Sequence, residues 1–172
     1  MSLFERICQS YGRFLRGCGF VAGYTTFAMM MPVVANAVSR FLFNSPVQGA
    51  LEITETMLTV LVFLSLALTQ YEGGHIKVTV VLQHMPVFMQ KPLRLFVLAL
   101  GCVFFAWCAQ AGWEFAMRSF AINEQQWGSV RYPLYPVKFV IFFGLTMLAI
   151  QFALDFMREL IGSAPNKEAV GQ

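Results

Sequence analysis

Four charge-free apolar windows divide the chain, at residues 17–39, 56–71, 95–113 and 139–154. At about 1.5 Å of rise per helical residue, the first and third cover the roughly 30 Å hydrocarbon layer of a bilayer unaided, whereas the second and fourth reach only about 24 Å. The two short windows therefore borrow their flanks. The second draws on Glu55 or on Tyr71 to Gly74, and the fourth on Lys138 or Asp155; each such flank sets a charged or polar group at the edge of the layer, where it requires a partner. The pattern predicts an all-α integral membrane protein, one membrane domain over 1–172, with four transmembrane helices over about 17–40, 52–73, 93–117 and 134–157.

Between the second and third windows the periodicity changes. Gly73 and Gly74 break the helix, after which Val78, Val81, Leu82 and Met85 recur at i, i+3, i+4 and i+7. This spacing predicts a short amphipathic helix over about 76–86, lying in the headgroup layer with Lys77, Lys91 and Arg94 meeting anionic phospholipid. Pro86 and Pro92 mark its end and the start of the third span.

Orientation follows from the distribution of Lys and Arg. Arg6, Arg13, Arg16, Lys77, Lys91, Arg94, Arg158 and Lys167 fall on one side, against Arg40, Arg118, Arg131 and Lys138 on the other. Both termini are expected to be cytoplasmic, with tails at 1–16 and 158–172, and the amphipathic helix on the same side. Trp113, Trp127, Tyr132 and Tyr135 then form an aromatic belt at the outer interface.

Composition removes the alternatives to a membrane protein. With 58% hydrophobic and only 12% charged residues and a mean hydropathy of +0.62, the chain suits neither water nor disorder. A net charge of only +3 disfavours a nucleic-acid partner. Ala35-Asn36-Ala37 has the form a signal peptidase accepts, but the preceding window is too long for a signal peptide and contains Pro32, so it reads as the first span. Cys8, Cys18, Cys102 and Cys108 suggest neither a disulfide framework nor a metal site.

Candidate chemistry then lies in the polar groups near the membrane edges. Gly19-x-x-x-Gly23 lets another helix approach closely. Pro32, Asn36 and Arg40 recur every four residues and share a helix face; Arg40 either snorkels to the outer interface or pairs with a carboxylate. A tight return over 44–49 leads into Glu52 and Glu55, which the spacing puts on one side of the second span with Thr56 and Thr59. Glu52 reads as a solvated helix-start residue, and Glu55 as an inter-helix or inter-subunit contact, with Arg40 or Asn36 in reach. No nucleophile, metal-ligand set or phosphate loop accompanies the two carboxylates, so no catalytic residue is assigned. His75 is either a hydrogen-bonded structural residue or a proton-handling one. Glu114 and Arg118 form a helical i,i+4 pair. The outer loop over 119–132, with Glu124, Trp127 and Arg131, offers the largest polar surface on that side and the candidate docking residues.

The ordered set Asn36, Arg40, Gly49, Glu52, Glu55, Gly74-His75-Ile76, Val78, Arg131, Pro133, Pro136 and Lys138 resembles the small, DctQ-type membrane subunit of tripartite ATP-independent periplasmic (TRAP) transporters. The resemblance covers about 100 residues and rests on order and spacing together. It implies a bacterial inner-membrane location, and as partners a large multi-span permease subunit and a periplasmic substrate-binding protein. It implies sodium-coupled import of a carboxylate such as a C4-dicarboxylate or sialic acid. The sodium sites are expected in the large subunit, with no cofactor in this one. Asn36, Arg40, Glu52, Glu55 and His75 are then structural or subunit-contact residues.

The residues themselves point the same way. A transporter of a hydrophilic anion is expected to have discontinuous helices and polar residues near the midplane, whereas these windows centre on Phe, Leu, Val, Ala and Met. Two readings from other classes fit less well. A four-span thiol–quinone oxidoreductase needs paired cysteines in its outer loops, and a haem-bearing four-helix membrane anchor needs axial His residues within its spans. Here the cysteines lie elsewhere, and His75 and His84 both fall in the second connection.

Overall fold

The structure, a computed structural model, describes residues 3–72, 87–126, 128 and 130–161. Four helices follow one another: α1 Leu3–Phe43, α2 Ala50–Tyr71, α3 Val87–Ala121 and α4 Tyr135–Ile161. Each contains a stretch long and apolar enough to cross a membrane: Cys8–Phe43, Ala50–Tyr71, Lys91–Ala121 and Tyr135–Leu160. The all-helical, four-span architecture predicted from the windows is the one observed. The expected amphipathic helix over 76–86, with His75 and His84, lies outside the described residues, as does Trp127.

The helices outrun the apolar windows, most of all α1. Its 41 residues reach about 60 Å, twice the hydrocarbon layer. The segment 1–16, expected as a tail, is helical from Leu3 and packs against the bundle. Cys8 and Leu15 are buried, and the Tyr11 hydroxyl donates to the Met147 carbonyl of α4 at 2.6 Å. Its apolar residues continue the helical face of the first span below the charges at Arg13 and Arg16, which point outward.

Packing runs from α1 to α2, from α2 to α4 and from α4 to α3. The core joins Leu15, Ala67, Leu98, Met147, Leu148 and Phe152, one or more from every helix. Glycine lets α2 and α4 approach closely: a Cβ added to Gly144 would overlap the backbone carbonyl of Phe63. Gly101 of α3 likewise lies under the Phe152 ring, which stacks on Phe105 with centroids 5.1 Å apart. Outward, Phe20, Phe27, Phe41 and Trp107 are at least 72% exposed. In water such a surface would be untenable; in a bilayer it meets acyl chains or a neighbouring helix.

Candidate functional site at the two ends of the bundle

The polar groups collect at the hairpin end, where the α1–α2 and α3–α4 connections lie, and at the terminal end, where α1 begins and α4 finishes. At the hairpin end the α1–α2 connection folds back on α1. Asn36 Oδ1 accepts from the Val47 amide at 3.0 Å, and the Ser39 hydroxyl donates to the Ser45 carbonyl at 2.9 Å. Gly49, at φ 83°, turns the chain into α2 beside Val130, a left-handed geometry that suits glycine. Asn36 is thus spent on its own loop. Arg40 is exposed, and no ion pair within 4 Å joins it to Glu55 among the described residues.

The two glutamates of α2 share a side of the helix, as the spacing implies, but not an environment. Glu52 is only 6% exposed and lies against Gly128, where its carboxylate leaves no room for a side chain. One turn on, Thr56 and the Tyr132 hydroxyl are 2.8 Å apart, and Tyr132 also donates to the Glu52 carbonyl at 3.3 Å. Glu55 is exposed. The expectation of a solvated Glu52 is corrected, because the α3–α4 loop folds over the start of α2 and covers it. The three-residue spacing separates the carboxylates by about 60° around the axis, and the edge of the loop's footprint falls between them.

That loop is held at both ends. The Glu124 amide donates to the Ser119 carbonyl at 3.0 Å, Gln126 to Tyr132 at 2.9 Å and Leu134 to Glu124 at 3.0 Å, around a single antiparallel bridge between Gln125 and Pro133. The Glu124 carboxylate takes a hydrogen bond from Ser119 at 2.7 Å and an ion-paired one from Lys138. Lys138, 8% exposed, has its ammonium 3.8 Å from the centre of the Phe115 ring, a cation–π contact strengthened by the lack of water. Ser119 and Phe115 of α3, Glu124 of the loop and Lys138 of α4 thus form one latch. Sequence reading placed Glu124 among the docking residues; the structure engages its carboxylate inside the chain and leaves Arg131 exposed.

The latch has a pH signature. The hydrogen bonds from Lys138 and Ser119, against an opposing effect of burial and helped by the Lys138 charge, hold the Glu124 carboxyl below its ordinary 4.5. A carboxyl lowered on folding stabilises the fold above its unfolded pKa, and that stability is lost as pH falls through the folded one. The thermal midpoint of the wild type is therefore expected to exceed that of Glu124→Gln by a constant margin from neutral pH to about pH 5. The margin should begin to narrow below pH 4.5 and vanish as the pH falls through the lower folded value; a margin that does not narrow at all on acidification contradicts the latch.

At the terminal end Asp155, which the short fourth window leaves in need of a partner, sits in a cluster whose glutamines sequence reading did not foresee. Gln70 of α2 donates to Asp155 of α4 at 3.1 Å, and Gln151, one turn before Asp155, donates to its other oxygen at 2.8 Å. Gln70 and Gln151 are 5% and 1% exposed, and their amide oxygens are buried without a partner. Arg94 of α3 reaches Glu159 of α4 at 3.5 Å. The i,i+4 spacing of Gln151 and Asp155 is legible in the sequence, but Gln70 is brought to them only by the α2–α4 contact. Both ends hold helices in place. Glu114 and Arg118 pair at 3.9 Å on the exposed face of α3, as the spacing predicts. Among the described residues no group of three His, Cys, Asp or Glu could hold a metal ion.

Comparison with known families gives a match to the family described as tripartite ATP-independent periplasmic transporters, DctQ component, over residues 29–162. A search of curated proteins gave no match. The matched region takes in α1 from residue 29 onward, all of α2 and α3, the latched loop and α4, which is the whole of the hairpin end and the polar cluster of α2 and α4. The chain is a multi-pass membrane protein that belongs to the DctQ family, the small permease component of TRAP transporters, whose general partners are a large permease subunit and a substrate-binding protein.

Proposed function

We propose that this subunit is the fixed frame of its transporter. It holds the large permease subunit and helps dock the periplasmic substrate-binding protein, for sodium-coupled uptake of a carboxylate such as a C4-dicarboxylate or sialic acid. Both termini face the cytoplasm of a bacterium, the hairpin end faces the periplasm, and sodium binds in the large subunit. One observation supports this reading above the others. The four spans are continuous helices packed on Leu15, Ala67, Leu98, Met147, Leu148 and Phe152, with the polar groups tied to one another at the ends. A carrier site for a hydrated anion requires broken helices that turn backbone dipoles toward the midplane; here unbroken α2 and α4 close on each other at Phe63 and Gly144, near the middle of their spans. On its hairpin end, Arg40, Glu55 and Arg131 are exposed while Glu52, Glu124 and Lys138 are engaged within the chain. The first three are the contacts left for other subunits.

Affinity purification of the native complex is expected to bring down a large multi-span permease. Glu55→Leu should reduce the co-purifying fraction at least about tenfold, an energy of about 1.4 kcal/mol, because it strands the partner group that meets the carboxylate near the interface. Glu124→Leu should change it less, since its loss is felt inside this chain. Uptake abolished by Glu55→Leu with the complex intact would assign that residue to transport and reject the scaffold reading.

A further inference from the structure

Near the terminal end α1 and α2 leave between them a groove of about 570 Å³, lined by Arg16, Gly19, Gly23, Tyr24, Leu68 and Glu72. The two glycines share a helix face but do different things. A Cβ on Gly19 would run into the Leu68 side chain, so this glycine closes α1 onto α2; a Cβ on Gly23 would meet nothing within 4 Å. Gly23 thus leaves the wall of the groove open at its own position. Tyr24 is 79% exposed and stands at the deep end, about 12 Å along α1 from Arg16.

The mouth of the groove is charged. Arg16 precedes the charge-free window of α1, and Glu72 caps the end of α2. Both are exposed, and among the described residues no ion pair within 4 Å joins them. One positive and one negative group thus line the same end of an apolar slot without an ion pair between them, at the edge of the charge-free windows where lipid headgroups begin. We propose that the groove binds one zwitterionic aminophospholipid, its phosphate at Arg16, its primary ammonium at Glu72, and one acyl chain along Gly23 and Leu68. A planar guanidinium suits a phosphate, and a carboxylate suits an ammonium that still carries N–H donors. An anionic lipid gains Arg16 but meets Glu72 as a like charge. A choline headgroup keeps its charge and has no N–H donor to give Glu72. A neighbouring protein helix satisfies the apolar slot but has no reason to bring both charges to its mouth. The inference requires only that the chain spans a membrane and is independent of what the transporter carries.

The test is native mass spectrometry of the purified full chain, delipidated in detergent and titrated separately with phosphatidylethanolamine, phosphatidylcholine and phosphatidylglycerol of identical acyl chains. Phosphatidylethanolamine is expected to bind at one per chain and about tenfold more tightly than either of the others. Gly23→Leu, which fills open space and leaves the helical circular dichroism unchanged, should lower that binding about tenfold. Glu72→Gln, an exposed isosteric change, should abolish the preference over phosphatidylglycerol. Equal binding of the three lipids overturns the proposal, as does undiminished phosphatidylethanolamine binding by Gly23→Leu. If Gly23→Leu instead releases the permease from the native complex while lipid binding is unchanged, the groove belongs to a protein helix.

Discussion

Gly144→Val is expected to force α2 away from α4 and to cost the bundle more than any exposed substitution. The Cβ of a residue at this position overlaps the carbonyl oxygen and carbon of Phe63. That neighbour is backbone, so no rotamer change relieves the contact, and the helices themselves must shift. Ala67 on α2 and Met147 and Leu148 on α4 are buried one turn away, and they lose van der Waals contact as the gap opens. The damage spreads, because α4 is the helix that joins α3 to α2. Overpacking of a dense core costs about 1–3 kcal/mol, and a collision with backbone falls at the upper end. Gly17→Val, facing open space, is the matched control, with a change within about 0.5 kcal/mol. Loss of helical signal during titration with a denaturing detergent measures both. Equal resistance of the two variants would mean that α2 and α4 are not packed as described.

The four spans were legible because a bilayer imposes a minimum length of apolar helix and little else does. What was not legible depended on contacts between elements. Nothing in the spacing of Glu124 and Lys138, or of either from Phe115, shows that a turn at Asn123, with φ 48°, folds the loop so that the carboxylate meets the ammonium. Glu52 reads as solvated for the same reason: on α2 alone it is, and only the loop arriving from α3 buries it. Asn36 shares a helix face with Arg40 as its spacing implies, yet the Val47 amide claims its oxygen. Gly19 and Gly23 are alike as a motif and become distinct once α2 lies beside one and not the other. The amino-terminal segment looked like a tail because charge counting sees Arg6, Arg13 and Arg16, whereas Cys8, Tyr11 and Leu15 between them carry the packing.

Gln70 with Asp155 and Arg94 with Glu159 tie α2 and α3 to α4 at the terminal end, and the Glu124 latch ties α3 to α4 at the hairpin end. A bundle fastened at both ends and packed between them resists the helix displacements that alternating access requires. This fits the proposed frame role, in which the subunit stands still while a neighbour moves. On this reading the exposed aromatic surface of α1 and α3, including Phe20, Phe27 and Trp107, is where acyl chains and the large subunit share the perimeter.

Solute flux through the purified chain reconstituted alone into liposomes tests the frame role most directly. Under an inward sodium gradient, with radiolabelled C4-dicarboxylate or sialic acid and the substrate-binding protein outside, accumulation is expected to equal that of empty vesicles. Adding the large permease subunit to the same membrane should restore uptake. Sodium-dependent accumulation by the single component would contradict the assignment of translocation to the neighbouring subunit.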